Sequence, residues 1–355
     1  RQFLACLAIG IPIAVSIGIA TVITMLLAIP AAPALTTAAL RMATGIDSFA
    51  LLAIPFFILS GQLISRGGMA QRLVDFAKAL VGGFAGGLAF VNILASMFFG
   101  TISGSAVAAT SAVGGFMIPS REKEGYDRET SVAVTMTGSV TGLLIPPSNI
   151  LIVYSLASGG VSIAALFVAG YVPGILLGLG LMVVAGIIAR RKGYPVGGPS
   201  SWRAGFRTFF RATPSLLLII IVMGGIIAGI FTATEASAVA VIYSLLLAVG
   251  VYKEVRIRDL PEILLKSAET TAIVMLLIAT SVAMSWILSY ENIPQDLTAL
   301  LLGLTESRVL ILLFINLLLL VVGTFMDITP AVLIFTPIFL PVAQQLGMTP
   351  LHFGI

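Results

Sequence analysis

Few side chains in this chain can coordinate a ligand or move a proton, so those that can stand out. Ser103 and Ser105 flank Gly104 in the run Gly100-Thr101-Ile102-Ser103-Gly104-Ser105, inside an otherwise apolar stretch. Hydroxyl and carbonyl oxygens suit a hard cation such as sodium, while a run of small residues also serves close helix packing. A second polar cluster, Ser148-Asn149, follows Pro146-Pro147. The Asn149 carboxamide offers an acceptor to a cation and donors to a carboxylate, and either residue could equally cap a helix. Asp327 is the only carboxylate between Arg308 and Ile355, with Thr324 and Thr329 beside it. A carboxylate in apolar sequence is costly and points to a partner such as sodium or a proton. Its competing role is N-cap of an arm that begins near Pro330. Glu235, in Thr232-Ala233-Thr234-Glu235 before an apolar run, reads instead as half of a capping box with Thr232. Nothing supports covalent chemistry. A serine at Gly104-Ser105 would need a general base, and the single histidine is His352. Metal-ligand clusters and phosphate-binding glycine loops are absent from the sequence, so neither an enzyme nor a bound cofactor is expected.

The elements that must position these groups follow from composition. Apolar residues make up 59% of the chain and charged residues 10%, against about a quarter charged in soluble domains. They come in blocks of about 20 or more, enough to cross a hydrocarbon core. The fold class expected is an all-α polytopic membrane protein. The sequence pI near 9.4 reflects Lys and Arg in short connectors between apolar blocks, where they orient a membrane protein, and nucleic acid is excluded as a partner. Cys6 alone builds neither a disulfide nor a thiolate site. The block from Phe3 to Leu27 exceeds the roughly 7–15 apolar residues of a signal peptide and is expected to stay as one span. The chain begins with Arg1 and stops at Ile355 within apolar sequence, and reads as part of a longer protein.

Basic residues cluster at Arg66, Arg72 and Lys78; at Arg121, Lys123 and Arg128; from Arg190 to Arg211; and from Lys253 to Lys266. If all four clusters face the cytoplasm, the apolar stretches between them must cross an even number of times. Pro214 to Val251 would be roughly 57 Å as one helix at 1.5 Å per residue, which suits two crossings turning at Phe231-Thr232-Ala233-Thr234. Thr130 to Ala189 likewise divides near Ser158-Gly159-Gly160. Leu88 to Pro119 is short for two crossings and fits a re-entrant hairpin of two half-length helices with its polar tip at membrane depth, where irregular backbone needs protein or water around it. Two ordinary spans with a small polar turn are the alternative. Beyond the hairpin, Pro146-Pro147 must break a helix, and a broken span beside a hairpin tip is how transporters build sites at the bilayer centre. Met69 to Val81 and the stretch around Trp202, Arg203, Phe206, Arg207 and Arg211 are expected to be helices lying at the interface.

The hairpin recurs. Phe90-Val91-Asn92 and Gly100-Thr101 return as Phe314-Ile315-Asn316 and Gly323-Thr324, at an offset of about 223 residues, the mark of an internal repeat. The first copy lies among basic flanks and the second has Arg308 alone, so the two should open to opposite faces. Inverted repeats imply alternating access to a central site. The same offset places a second proline break beyond Ile355, at about residue 369.

Together these motifs resemble the large membrane subunit (DctM-like) of tripartite ATP-independent periplasmic (TRAP) transporters. The resemblance is carried by Phe99-Gly100-Thr101-Ile102-Ser103-Gly104-Ser105-Ala106-Val107-Ala108, Gly142-Leu143-Leu144-Ile145-Pro146-Pro147-Ser148-Asn149 and Gly229-Ile230-Phe231-Thr232-Ala233-Thr234-Glu235-Ala236. Pro55-Phe56-Phe57-Ile58-Leu59-Ser60-Gly61 and Gly323-Thr324-Phe325-Met326-Asp327 also match, and the likeness covers essentially the whole chain. It implies an inverted-repeat, elevator-type carrier in the bacterial inner membrane, driven by sodium and accompanied by a small four-helix membrane subunit and a periplasmic binding protein. The cargo would be a C4-dicarboxylate, a sialic acid or a similar acid. Scaffold would occupy 1–87, ending in an arm helix, and 171–308, which also starts the second repeat; transport parts would occupy 88–170 and 309–355. Sodium would meet Ser103, Gly104, Ser105, Gly142 and Asn149 in the first repeat and Thr324, Asp327 and Thr329 in the second. Substrate would meet Thr101, Ser105, Pro147, Ser148, Asn149 and Asp327. The arginine that some sialic-acid members use for the substrate carboxylate has no match around Ser289-Tyr290-Glu291, which leaves the substrate open. A stand-alone anion carrier of related architecture is the alternative, and a channel a further one.

Overall fold

A chain this apolar has to satisfy its backbone hydrogen bonds inside each segment, and the described residues hold helices and no strand. The computed structural model describes residues 2–84, 86–103, 105–195, 202–305 and 307–355, with only the backbone for 102, 103, 202–204 and 304. In chain order the helices are α1 (Gln2–Ala8), α2 (Ile13–Ala28), α3 (Ala31–Ile46), α4 (Ala53–Arg66), α5 (Met69–Val81), α6 (Gly87–Ser103), α7 (Ala106–Lys123), α8 (Arg128–Leu144) and α9 (Asn149–Ala157). They continue with α10 (Ile163–Lys192), α11 (Trp202–Ile227), α12 (Ala233–Leu245), α13 (Leu260–Tyr290), α14 (Ile293–Leu304), α15 (Arg308–Gly323), α16 (Ile328–Gln345) and α17 (Pro350–Phe353). Among the described residues six helices are long and apolar enough to cross a membrane, or seven if the helix interrupted at Pro146-Pro147 is taken as one span.

The turns expected from charge parity are where the chain turns. α11 and α12 are joined at 228–232, and α9 and α10 at 158–162. The capping box at the start of α12 forms as read: Thr232 N donates to Glu235 Oε2 at 2.8 Å, and Glu235 N donates to Thr232 Oγ1 at 3.3 Å. Three expectations are corrected. Phe3 to Leu27 is not one span: Gly10 adopts φ +86° and Pro12 has no N–H to give, so α1 stops and α2 starts anew. The stretch from Trp202 to Arg211 is not a separate surface helix, because α11 runs unbroken through Pro214. Tyr243 donating to Pro214 O (2.8 Å) and the Ser215–Tyr252 hydroxyl pair (3.1 Å) brace that segment. The arms of the first hairpin are longer than half-length, 17 and 18 residues, or about 26 Å each. α7 continues past Pro119 because Arg121, beyond it, is anchored inside the protein.

The chain divides into two compact units. One comprises Arg1–Leu51, Ile150–Ile163 and Glu269–Gly354. Its core includes Met25, Ala34, Ala38 and Ile287, with the Arg41 guanidinium 5.7 Å over the Trp286 ring. Within it α16 packs against both α14 and α15. The other comprises Leu52–Asn149 and Ala164–Ala268, where α6, α7 and α8 pack mutually and α4 pairs with α12. α5 has the expected bounds, but Met69, Leu73, Val74, Phe76 and Ala77 are buried against α6 and α11, so protein covers its apolar face.

α6 and α8 approach backbone to backbone. A Cβ at Gly100 or Gly142 would overlap the other's Cα, and four residues earlier on α8 a Cβ at Gly138 would lie 3.4 Å from Ile93 Cα. Small residues four apart are what lets helices come this close without a hydrophobic driving force. At the other end of α8, Asp127 Oδ2 accepts from Thr130 N (2.9 Å) and Lys192 Nζ donates to Asp127 Oδ1 (2.9 Å), tying the start of α8 to the end of α10. Lys192 first, then the Thr130 hydroxyl and amide, hold the Asp127 carboxyl well below its ordinary value of 3.8.

Two outcomes follow. Gly142→Ala should lower the thermal stability of the detergent-purified protein by about 1–3 kcal/mol, because two backbones must separate. Gly115→Ala, with nothing within 4 Å of the new methyl, should raise it by up to about 1 kcal/mol through helix propensity. Since the folded pKa of Asp127 is depressed, its contribution is complete above the unfolded value and is lost as pH falls through the folded one. Asp127→Asn should therefore melt earlier than wild type at pH 7, with the gap narrowing below about pH 3.8. A gap that stays constant from pH 7 to 3 would refute this.

Candidate functional site

In the unit that holds the first hairpin, the tip is built where α6 ends and α7 begins. Ser105 takes the N-cap position of α7, its Oγ accepting from Ala108 N at 3.3 Å. Thr101, buried one turn before the tip, donates to Phe98 O at 2.7 Å. The side chain of Ser103 and all of Gly104, both expected sodium ligands, lie outside the described residues. Next to this tip α8 stops at Leu144. The Pro146–Pro147 bond is cis, and neither proline has an N–H, so the carbonyls of Gly142 and Leu143 lose their helical donors. α9 resumes at Asn149. Ser148 is fully buried, and neither its Oγ nor the buried Oδ1 of Asn149 has a hydrogen-bond partner among the described residues. The capping alternative thus goes unused by either oxygen. Leaving two such atoms dry costs about 1–3 kcal/mol each unless something meets them.

Thr101 and Pro147, two of the expected substrate residues, line one small cavity with Phe57, Ser60, Val222 and Ala240. Its volume, about 10 Å³, holds one water-sized occupant and is far too small for an organic acid. The Oγ of Ser60 is bonded to Ser244 Oγ at 2.9 Å.

The second hairpin belongs to the other unit. Thr324 Oγ1 donates to Leu320 O at 3.1 Å. Asp327 sits at the N-cap position of α16 with φ −65° and ψ 156°, the backbone geometry of a cap, yet its carboxylate makes no capping bond. Its side chain is exposed, and Thr329 is half-buried, directly before the buried Pro330. α16 starts at Ile328, two residues ahead of the expected Pro330, and passes Pro341 to reach Gln345.

Sequence reasoning missed three features here. Arg121 was grouped with the surface cations, but it is fully buried and bonded to Asn92, Ser131 and Thr135. The Ser60–Ser244 pair and the Gly100–Gly142 contact also went unread as contacts. Asn92 in an apolar helix was the available signal, since a buried amide needs a partner. Among the described residues no cluster of three or more His, Cys, Asp or Glu could hold a metal ion.

The model of the family described as "Tripartite ATP-independent periplasmic transporter, DctM component" matches residues 2–355. The chain belongs to that family. A C4-dicarboxylate TRAP transporter large permease protein, DctM, from Rhodobacter capsulatus is 38% identical over 365 residues, spanning 99% of this chain and 82% of its own. The sialic acid TRAP transporter large permease protein SiaM of Vibrio cholerae is 40% identical over 318 residues, 90% of this chain and 74% of its own. A Salmonella typhimurium protein, the uncharacterized YgiK, is 53% identical over 354 residues, all of this chain and 81% of its own. This TRAP large permease is thus a multi-pass membrane protein.

Because Asp327 makes no cap bond, Asp327→Asn in the permease should change thermal stability by no more than about 0.5 kcal/mol. Glu235→Ala, which opens the capping box, should lower the melting temperature more than Asp327→Asn does. Matched melts of the two variants check both; a large loss for Asp327→Asn would mean the carboxylate is structural.

Proposed function

We propose that this permease carries a small organic acid across the bacterial inner membrane by sodium-coupled, elevator-type alternating access. A small four-helix membrane subunit and a periplasmic binding protein serve it. The observation that carries this reading is the pair of unpartnered, buried oxygens at Ser148 and Asn149, placed where two prolines have also stripped donors from α8. Oxygen acceptors without donors are a cation's surroundings, and a hard monovalent ion fits them better than a soft metal. Ser103, Gly104, Ser105, Gly142 and Asn149 would hold one sodium, and Thr324, Asp327 and Thr329 another. The substrate carboxylate would take donors from Thr101, Ser105, Ser148 and Asn149 beside Pro147. Residues 88–170 and 309–355 would move against a scaffold of 1–87 and 171–308. The relatives named for C4-dicarboxylate and for sialic acid share a carboxylate, and that group is the assignment here.

The test is uptake into proteoliposomes holding the full-length permease and its small subunit, with the binding protein outside and candidate acids as radiolabelled substrates. Accumulation should need an inward sodium gradient and the binding protein together. Asp327→Asn should cut the rate at least tenfold while leaving the melting behaviour described above. Accumulation that persists at full rate in potassium, or without any binding protein, would defeat the coupling or the delivery step respectively.

A further inference from the structure

We infer that Arg121 is a positioning residue for this transport, a buried guanidinium that keeps the first hairpin tip and the proline break at one fixed spacing. The inference rests on the function proposed above. Arg121 lies in the last turn of α7 with no solvent exposure. Its Nε donates to Met117 O of its own helix at 3.3 Å. The two protons of its Nη2 are shared among three acceptors, Asn92 Oδ1 on α6 at 3.0 Å, Ser131 O on α8 at 2.7 Å, and Thr135 Oγ1 on α8. Thr135 Oγ1 in turn lies 3.0 Å from Asn92 Oδ1 and 2.8 Å from Ser131 O, with its single proton for one of them. One side chain thus ties three helices together.

A carboxylate would be the ordinary partner for such a charge, and among the described residues none bonds to it. Of the acidic residues near this end of the unit, Asp127 pairs with Lys192 at 2.9 Å and Glu122 with Arg128 at 3.7 Å, while Glu124 and Glu129 are exposed. Nη1 has no acceptor among the described residues. A buried charge held by neutral groups alone is a poor way to gain stability, because apolar side chains of like volume do as well or better. It is a good way to fix geometry, because a planar fork bonds in set directions. The second repeat forms its hairpin without one. At the repeat offset of about 223 residues Arg121 falls on Gln344, and Asn316, the counterpart of Asn92, bonds to Leu312 O of its own helix at 2.9 Å.

Position on the helices says what the lock controls. Asn92 is about 12 Å before Gly100 along α6, and Thr135 about 10 Å before Gly142 along α8, at 1.5 Å per residue. The Gly100–Gly142 and Gly138–Ile93 contacts set how closely the two helices approach but leave their rotation free. The directional bonds at Asn92, Ser131 and Thr135 remove that freedom. Thr101 and the tip lie just past Gly100, and Pro146, Pro147 and Ser148 just past Gly142, so both sides of the candidate ion site are held by the same lever.

The experiment compares wild type with Arg121→Lys and Thr135→Ala, each in full-length permease reconstituted with its small subunit and binding protein, in a Cys6→Ser background. Arg66→Gln, which breaks a surface ion pair, is the control. Spin labels at the exposed positions 107 and 140 report the spacing of α7 and α8. Arg121→Lys should broaden that distance distribution and raise the half-saturating sodium concentration about tenfold, with the rate at saturating sodium within about twofold of wild type. Thr135→Ala, which leaves Arg121 three acceptors, should do the same to a smaller degree, and it serves if the lysine variant does not fold. The control should move neither quantity. An unchanged label distribution with unchanged half-saturation overturns the inference even if expression falls, since that is what a merely structural residue would give. A wild type without sodium dependence would sink the proposed function instead, and the label distances would then still decide whether Arg121 sets the spacing.

Discussion

Hydrocarbon offers no hydrogen bonds, and everything distinctive about this protein follows from places where its backbone or side chains violate that constraint. A continuous helix satisfies itself; an interrupted one leaves groups that something else must meet. The interruption at Pro146-Pro147 cannot be repaired by the chain, because prolines have no N–H to return. Most buried breaks recruit a neighbouring hydroxyl or amide. Here the oxygens of the neighbouring hydroxyl and carboxamide, Ser148 and Asn149, are buried with no partner among the described residues. The local balance is acceptor-rich, and an acceptor-rich point in a dry interior is stable only when a cation or an ordered water occupies it.

Such a site needs walls that do not drift. The helices around it contain little that could lock by charge pairing, and lipid removes the hydrophobic contrast that locks helices in water. What remains is steric: Gly100 on Gly142, Gly138 on Ile93, Gly114 against Thr135. Contacts of this kind define distance well and rotation poorly, since glycine presents no side chain to interdigitate. The directional bonds of Arg121 and Asn92 supply what the glycines lack. The two devices are complementary.

Local grammar was legible in the sequence, and tertiary burial was not. The bounds of α5, the turns at 158–162 and 228–232 and the Thr232–Glu235 box depend on residues a few positions apart, so type and spacing sufficed. The interruption at Gly10 to Pro12 escaped because the residues around it are apolar enough to be counted as one span. The continuity of α11 through Pro214 escaped because neighbouring tyrosines, far away in sequence, brace it. Arg121 is the instructive failure. Charge patterning treats every arginine near a hairpin end as a surface cation, and only the fold shows three helices closing over this one. For the candidate site, the proline break was readable from cost alone, since it is expensive in an apolar chain. That Ser148 and Asn149 would go without partners, and that Asp327 would take a cap's position without its bond, required coordinates.

The two hairpins differ in charge, and on the proposed function this difference has a consequence for substrate attraction. Oxygens at the first hairpin and its proline break are neutral, so a sodium ion there keeps its full positive charge in a medium that screens it weakly. At the second hairpin Asp327 cancels most of the charge of a sodium bound to it. On the proposed function, sodium at the first hairpin is therefore the better counter-charge for a carboxylate beside it, and substrate affinity there rises with prior ion binding through electrostatics. That dependence is the thermodynamic content of coupling.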